Sequence, residues 1–313
     1  MNIAFFEPLS RAWRRMTKAL FKPFEIGKWF IVGFTAFLAG LMEGHGGSSG
    51  GGSSKYDLGR DFDFGDVIDF PEYAWEWLMD NPGWFTLIIF IIILAISLII
   101  LFTWLSSRGK FMFLDNVVHD RAKVTQPWRE YRTEGNSLFA WRFVFGLICF
   151  AVIILFLIQA FYIALDIYEN DFSSQHVLII IAMAILVLLV ILIIAYISSF
   201  LNHFVIPIMY KHSISVTRAW RRFLQLFSYH WFHFILFGLF MFLLNILVAI
   251  VIIMAILFTC CIGLLLLIIP YINAVVTLPI SYTFMAYGPE FLAQFGSEFD
   301  VFPEEETTAT SEG

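Results

Sequence analysis

From Val177 to Ile197 the chain reads VLIIIAMAILVLLVILIIAYI, without a single charged residue. About 20 apolar residues in a helix match the ~30 Å hydrocarbon core of a bilayer, where a segment must satisfy all of its own backbone amides. Phe85 to Leu105 is a second such run. Leu138 to Leu165 is a third, long enough to tilt, and its one cation, Arg142, stands close enough to the end to snorkel to the interface. Composition agrees, since 60% hydrophobic and 14% charged residues sit far from the roughly half and one quarter of soluble domains.

The remaining spans follow from length. Phe232 to Leu267 is almost continuously apolar and too long for one crossing, so it must fold back, and Thr259 to Gly263 supplies small residues for the turn. The expected spans are therefore 24–42, 85–105, 138–165, 177–197, 232–258 and 262–282, an all-α membrane domain over 1–288. The first is short and begins with Glu25 and Lys28. The last contains Pro270, Asn273 and Pro279, so Pro270 and Asn273 are expected to mark a kink or pocket with freed carbonyls.

Cytoplasmic loops are enriched in Lys and Arg, which tests the count. Of the 19 Lys and Arg, only Lys55 and Arg60 fall in the alternate loops. Those loops instead carry Asp57, Asp61, Asp63, Asp66, Asp69, Glu72, Glu76 and Asp80, then Asp166, Glu169 and Asp171. Both termini are expected in the cytoplasm. No small-residue cleavage site follows the first apolar run, so span one is expected to remain as an anchor.

Three segments share one pattern: Leu9 to Met16, Val124 to Tyr131 and Val216 to Phe223. Each reads Leu or Val, Ser or Thr, any residue, Ala or Pro, Trp, Arg, Arg or Glu, then Met, Tyr or Phe. A glycine follows the tryptophan by 20, 18 and 18 positions, at Gly33, Gly146 and Gly238. The unit is an interfacial helix followed by a helical hairpin, used three times. Ser10, Thr125 and Thr217 are expected to cap those helices. The tryptophans would lie at headgroup depth and the arginines toward anionic lipid. Trp13, Arg14, Arg15, Trp128, Arg129, Trp220, Arg221 and Arg222 are accordingly the candidate lipid-facing residues.

Residues 43–84 read as an extracytoplasmic loop, Gly/Ser-rich and then acidic, in which Phe70, Tyr73, Ala74, Trp77 and Leu78 can line a short surface helix. Residues 289–313 read as an acidic, disordered cytoplasmic tail. His230 and His233 share a helical face without carboxylate or thiol at ligand spacing, and Cys260 and Cys261 read as turn residues, so no metal is expected. Asn202, Asn245 and Asn273 suit interhelical hydrogen bonds. No phosphate loop, zinc-protease motif or nucleophile elbow is present in the sequence, so no catalytic residue and no cofactor are assigned.

The AWRRM-type helix before a hairpin and the RGKFMFLDNVVHDRA stretch at 108–122 carry a resemblance. The chain is similar to uncharacterised bacterial integral membrane proteins that resemble the membrane domain of glycerophosphodiester phosphodiesterases. The catalytic barrel of those enzymes has no counterpart here. The resemblance implies a bacterial inner-membrane address and no enzyme activity. The expected function is a non-enzymatic membrane protein that binds lipids with anionic headgroups or scaffolds a membrane protein partner, with no nucleic acid involved. A transporter or channel for a small solute is the alternative.

Overall fold

The computed structural model describes residues 3–42, 73–170, 173–259 and 267–302, and among them every regular element is helical. The Gly/Ser-rich stretch, the Cys260–Gly263 turn and the start of the sixth expected span, and the last eleven residues lie outside the described residues. The chain divides into two compact units, one of residues 1–48, 103–144 and 192–313 and the other of residues 49–102 and 145–191.

Among the described residues four helices are long and apolar enough to cross a membrane. α3 spans Pro82–Val118 and α5 spans Arg132–Asn170. α6 spans Ser174–Phe200 and continues through one π-turn, Leu201–Val205, into α7, Ile206–His212. α8 spans Val216–Phe258. Their most apolar windows are almost wholly unburied by protein. In the second unit this leaves Phe90, Leu155 and Leu178 each more than 60% exposed. Apolar surface of that extent is stable only against lipid or a partner.

Two expected spans are different in the structure. α2, Ile26–Gly40, has 15 residues and so is roughly 22 Å long, short of the bilayer core. It lies beside the last turns of α3, where Ser106 Oγ donates to the Ala39 carbonyl at 2.9 Å and Asn116 Nδ2 to Thr35 Oγ1 at 3.4 Å. The sixth span is not one kinked helix: Pro270 opens α9, Pro270–Val276, and Thr277 separates it from α10, Leu278–Leu292. Proline at a first helical position costs no hydrogen bond, which is why Pro270 starts a helix here instead of bending one.

The first unit holds the packed core. α1, Phe6–Phe21, buries Ala12, Met16, Ala19 and Leu20, one helical stripe, against α10. Phe204, Phe223, Phe234, Phe237, Tyr287 and Phe291 form its aromatic centre, with ring centroids 4.7 to 6.4 Å apart in the contacting pairs. The tail expectation changes over its first part, 289–302, while 303–313 lie outside the described residues. Glu290, Phe291, Leu292, Phe299, Val301 and Phe302 are all buried, so the chain is packed through residue 302. The aromatic residues outweigh the acidic composition.

The capping expectation also changes. Ser10 lies inside α1, and neither Val124 before α4, Thr125–Glu130, nor Ser215 before α8 makes a side-chain capping bond. Instead Ser137 Oγ accepts the Val216 amide at 3.1 Å. The three Trp-Arg segments join their hairpins differently. α1 is separated from α2, only Tyr131 stands between α4 and α5, and α8 runs on with a kink at His230. Nor do the three glycines share an environment: a Cβ at Gly33 would meet Val275, one at Gly238 would meet Tyr196, and one at Gly146 would meet nothing.

Candidate functional site

α3 does not end with its apolar run at Leu105. It continues through Ser106 to Val118, all buried, and the turns past Leu105 carry Arg108 into a recess of about 430 Å³ lined by Trp104, Arg108, Trp128, Arg129 and Arg132. Trp104 and Arg108 are one turn apart on α3 and so share a face. α4 brings Trp128 and Arg129, and Arg132 is the first residue of α5. The Arg108 side chain is held on three sides. Its guanidinium lies 4.5 Å from the Trp104 ring and 4.8 Å from the Trp128 ring, and its Nε and Nη2 donate to Asn136 Oδ1 at 3.3 and 3.0 Å. The two indoles meet edge to face at 5.5 Å, and Trp104 Nε1 donates to the same Asn136 oxygen at 3.3 Å. Gly135 makes the room, because a Cβ there would stand 2.9 Å from Arg108 Cγ.

Arg108 is only 7% exposed, yet its hydrogen-bond acceptor is a neutral amide. Among the described residues no carboxylate forms an ion pair with Arg108, Arg129 or Arg132. A buried cation is costly unless paired, and cation–π contact with two indoles offsets part of that cost. What the recess offers is concentrated positive charge between aromatic walls, suited to an anion with several acceptor oxygens.

A second cluster closes the end of α3. Asp115 has no exposed surface and accepts from Arg121 Nε at 2.9 Å, from Arg121 Nη2 at 2.7 Å and from Tyr210 at 2.9 Å, with His119 Nδ1 at 3.2 Å. Asn116 folds the following loop back, donating to the Lys123 carbonyl and accepting its amide, both at 3.0 Å. Burial works against the Arg121 charge, but the hydrogen bonds and charge of Asp115 more than offset it and hold the guanidinium above its ordinary pKa. Burial pushes the Tyr131 hydroxyl up. With every partner satisfied internally, this cluster is structural.

The family-model match extends from residue 4 to residue 297 and is described as a family of unknown function, DUF7544. The chain belongs to this family. The match carries no link to glycerophosphodiester phosphodiesterases. No curated protein and no solved structure matches.

Within this DUF7544 chain the expected site residues separate. Trp128 and Arg129 are at the recess. Trp13 is 56% exposed and Arg14 is exposed, whereas Arg15 turns inward, paired with the buried Glu290 and lying 4.0 Å from the Phe302 ring. Trp220 stacks on Trp141 at 5.7 Å, and its buried Nε1 has no partner among the described residues, while Arg221 and Arg222 are exposed. The structure therefore does not gather the eight motif residues into one face. Asn273 is buried and its carbonyl accepts the Thr277 hydroxyl and amide, both at 2.8 Å. Among the described residues no group of three or more His, Cys, Asp or Glu is placed to hold a metal.

Sequence reasoning missed Trp104, Arg108, Arg132 and Asn136 as site residues. A helical projection carried past Leu105 would have set Arg108 over Trp104, but nothing local places α4 against α3.

Proposed function

We propose that this chain is a non-enzymatic integral membrane protein of a bacterial inner membrane, with six spans and both termini cytoplasmic, that engages anionic lipid headgroups. The observation carrying the reading is the recess of unneutralised guanidinium and indole groups beside the end of an apolar helix, since tryptophan and cations gather where a span meets headgroups. The threefold unit draws support from burial: the small residue before each tryptophan, Ala12, Pro127 and Ala219, is buried in every copy. Each segment thus turns the same position inward.

Native mass spectrometry of the full chain, extracted with its own membrane, tests the reading. Anionic phospholipid is expected to remain bound in preference to zwitterionic lipid. Equal retention of both would end the lipid role, and a co-purifying protein in its place would favour a scaffold for a membrane partner.

A transporter for a small solute is a second reading, favoured by the break between α9 and α10 at Thr277, one turn from Asn273. Interrupted helices line the binding sites of many transporters. Solute flux into proteoliposomes distinguishes it, and a tight barrier to every solute tested would remove it.

A further inference from the structure

We propose that Trp104, Arg108, Trp128, Arg129 and Arg132 form a specific site for the phosphate group of an anionic phospholipid. The inference rests on the lipid-binding reading above and narrows it from a diffuse cationic face to one recess.

Four observations converge. The recess is built before any ligand arrives, because Arg108 is fixed by two indole faces and the Asn136 side-chain oxygen. Its charge is uncompensated, since none of the five lining residues is acidic and none of the three arginines has a carboxylate partner among the described residues. Arg132 opens the 39-residue α5, so the positive end of a long helix dipole adds to the field. The volume of about 430 Å³ accommodates a headgroup of phosphate with its ester substituents. Phosphate suits the donors best, because planar guanidinium forks match its tetrahedral oxygens with paired hydrogen bonds.

The lipid source follows from position. Trp104 stands at the end of the apolar run from Phe85 to Leu105, and tryptophan rings settle at headgroup depth. A phosphate held one turn further along α3, at Arg108, keeps its glyceride end on the apolar side. Free inorganic phosphate presents the same oxygens without that anchorage.

The experiment uses the full chain in nanodiscs of phosphatidylcholine with graded phosphatidylglycerol, and reads tryptophan fluorescence and lipid retention by native mass spectrometry. Arg129→Gln with Arg132→Gln is the informative variant because both side chains are exposed and their loss leaves packing intact. Arg11→Gln with Arg218→Gln, exposed and outside the recess, matches its change in charge. Arg108→Gln is a third variant, read only where its melting curve matches the parent.

The expected result is a phosphatidylglycerol affinity lowered about ten- to thirtyfold by the recess pair, the scale of a lost charge-assisted hydrogen bond to phosphate, and little changed by the control pair. Equal losses from both pairs would overturn the site and leave the general cationic reading standing. No preference of the parent protein for phosphatidylglycerol would overturn both. Displacement of the lipid signal by millimolar inorganic phosphate, with equal occupancy in pure phosphatidylcholine, would overturn the lipid assignment and make this a free-anion site.

Discussion

Asp115 shows how one carboxylate organises the core at the end of α3. It is fully buried and takes both prongs of Arg121 together with the Tyr210 hydroxyl. Asp115→Ala removes the acceptor and leaves a guanidinium without its counter-charge, so it is expected to cost about 3–5 kcal/mol, read as a lowered midpoint of unfolding in detergent. A change smaller than about 0.5 kcal/mol, the usual size for a surface substitution, would show that the cluster carries no structural weight. Gly109 makes a steric prediction. A Cβ there would stand 2.7 Å from Ala39 N and from Leu38 C, backbone atoms of α2 that cannot move aside. Gly109→Ala is expected to destabilise by about 1–3 kcal/mol through overpacking, whereas Gly146→Ala, with nothing in reach, is expected to be neutral; equal melting temperatures for the two variants would refute the close approach of α2 and α3. Alkaline stability belongs to this scale too. Burial raises the hydroxyl pKa of Tyr131, so above about pH 10 the unfolded chain loses this proton while the folded chain keeps it, and stability falls as pH rises. Tyr131→Phe is expected to flatten the alkaline fall in the unfolding midpoint; the same fall in parent and variant would contradict the burial.

At the scale of elements, the lengths of the helices explain what the sequence did and did not disclose. The apolar runs were legible because a bilayer selects for continuous hydrophobicity over a known length. The continuation of α3 to Val118 was not, because Arg108, Lys110 and Asp115 in RGKFMFLDNVV resemble a loop by composition. They are helical because tertiary partners such as Asn136 and Arg121 stabilise their charges. α10 and the turns after it teach the same lesson. Phe291, Phe295, Phe299 and Phe302 recur at three- or four-residue spacing, a pattern that the acidic residues around them obscured. Their anchor is the pair between Arg15 on α1 and the buried Glu290. Arg15→Ala leaves that carboxylate buried without its partner, at about 1–3 kcal/mol. The Gly296–Phe302 stretch is then expected to become protease-sensitive while α10 remains folded. Cleavage at the same rate in parent and variant would mean that aromatic packing alone holds the segment.

For the whole molecule, the open issue is how many times the chain crosses, and contacts within the first unit sharpen it. Lys28 Nζ lies 2.8 Å from Asp120, the Val216 amide bonds Ser137, and Arg15 pairs with Glu290. On the six-span reading, the starts of α2, α5 and α8 and the end of α10 lie on one side of the membrane, the side to which the positive-inside rule assigns the cations. Tyr73 and Asn170 flank the far ends of α3 and α5. Single cysteines at Arg14, Asp120, Arg218 and Glu298 are expected to react with a membrane-impermeant maleimide only in inverted vesicles, and those at Tyr73 and Asn170 only in right-side-out cells. Six crossings give that partition. Four crossings, by α3, α5, α6 and α8 alone, place Arg14 and Glu298 with Tyr73, on the side opposite Asp120. The proposed six-span reading takes its support from the Lys28–Asp120 and Arg15–Glu290 contacts, which favour having both ends of the chain on the side of Asp120. Labelling of Arg14 and Tyr73 positions from the same face would therefore refute the six-span reading and break the first unit's packing with it.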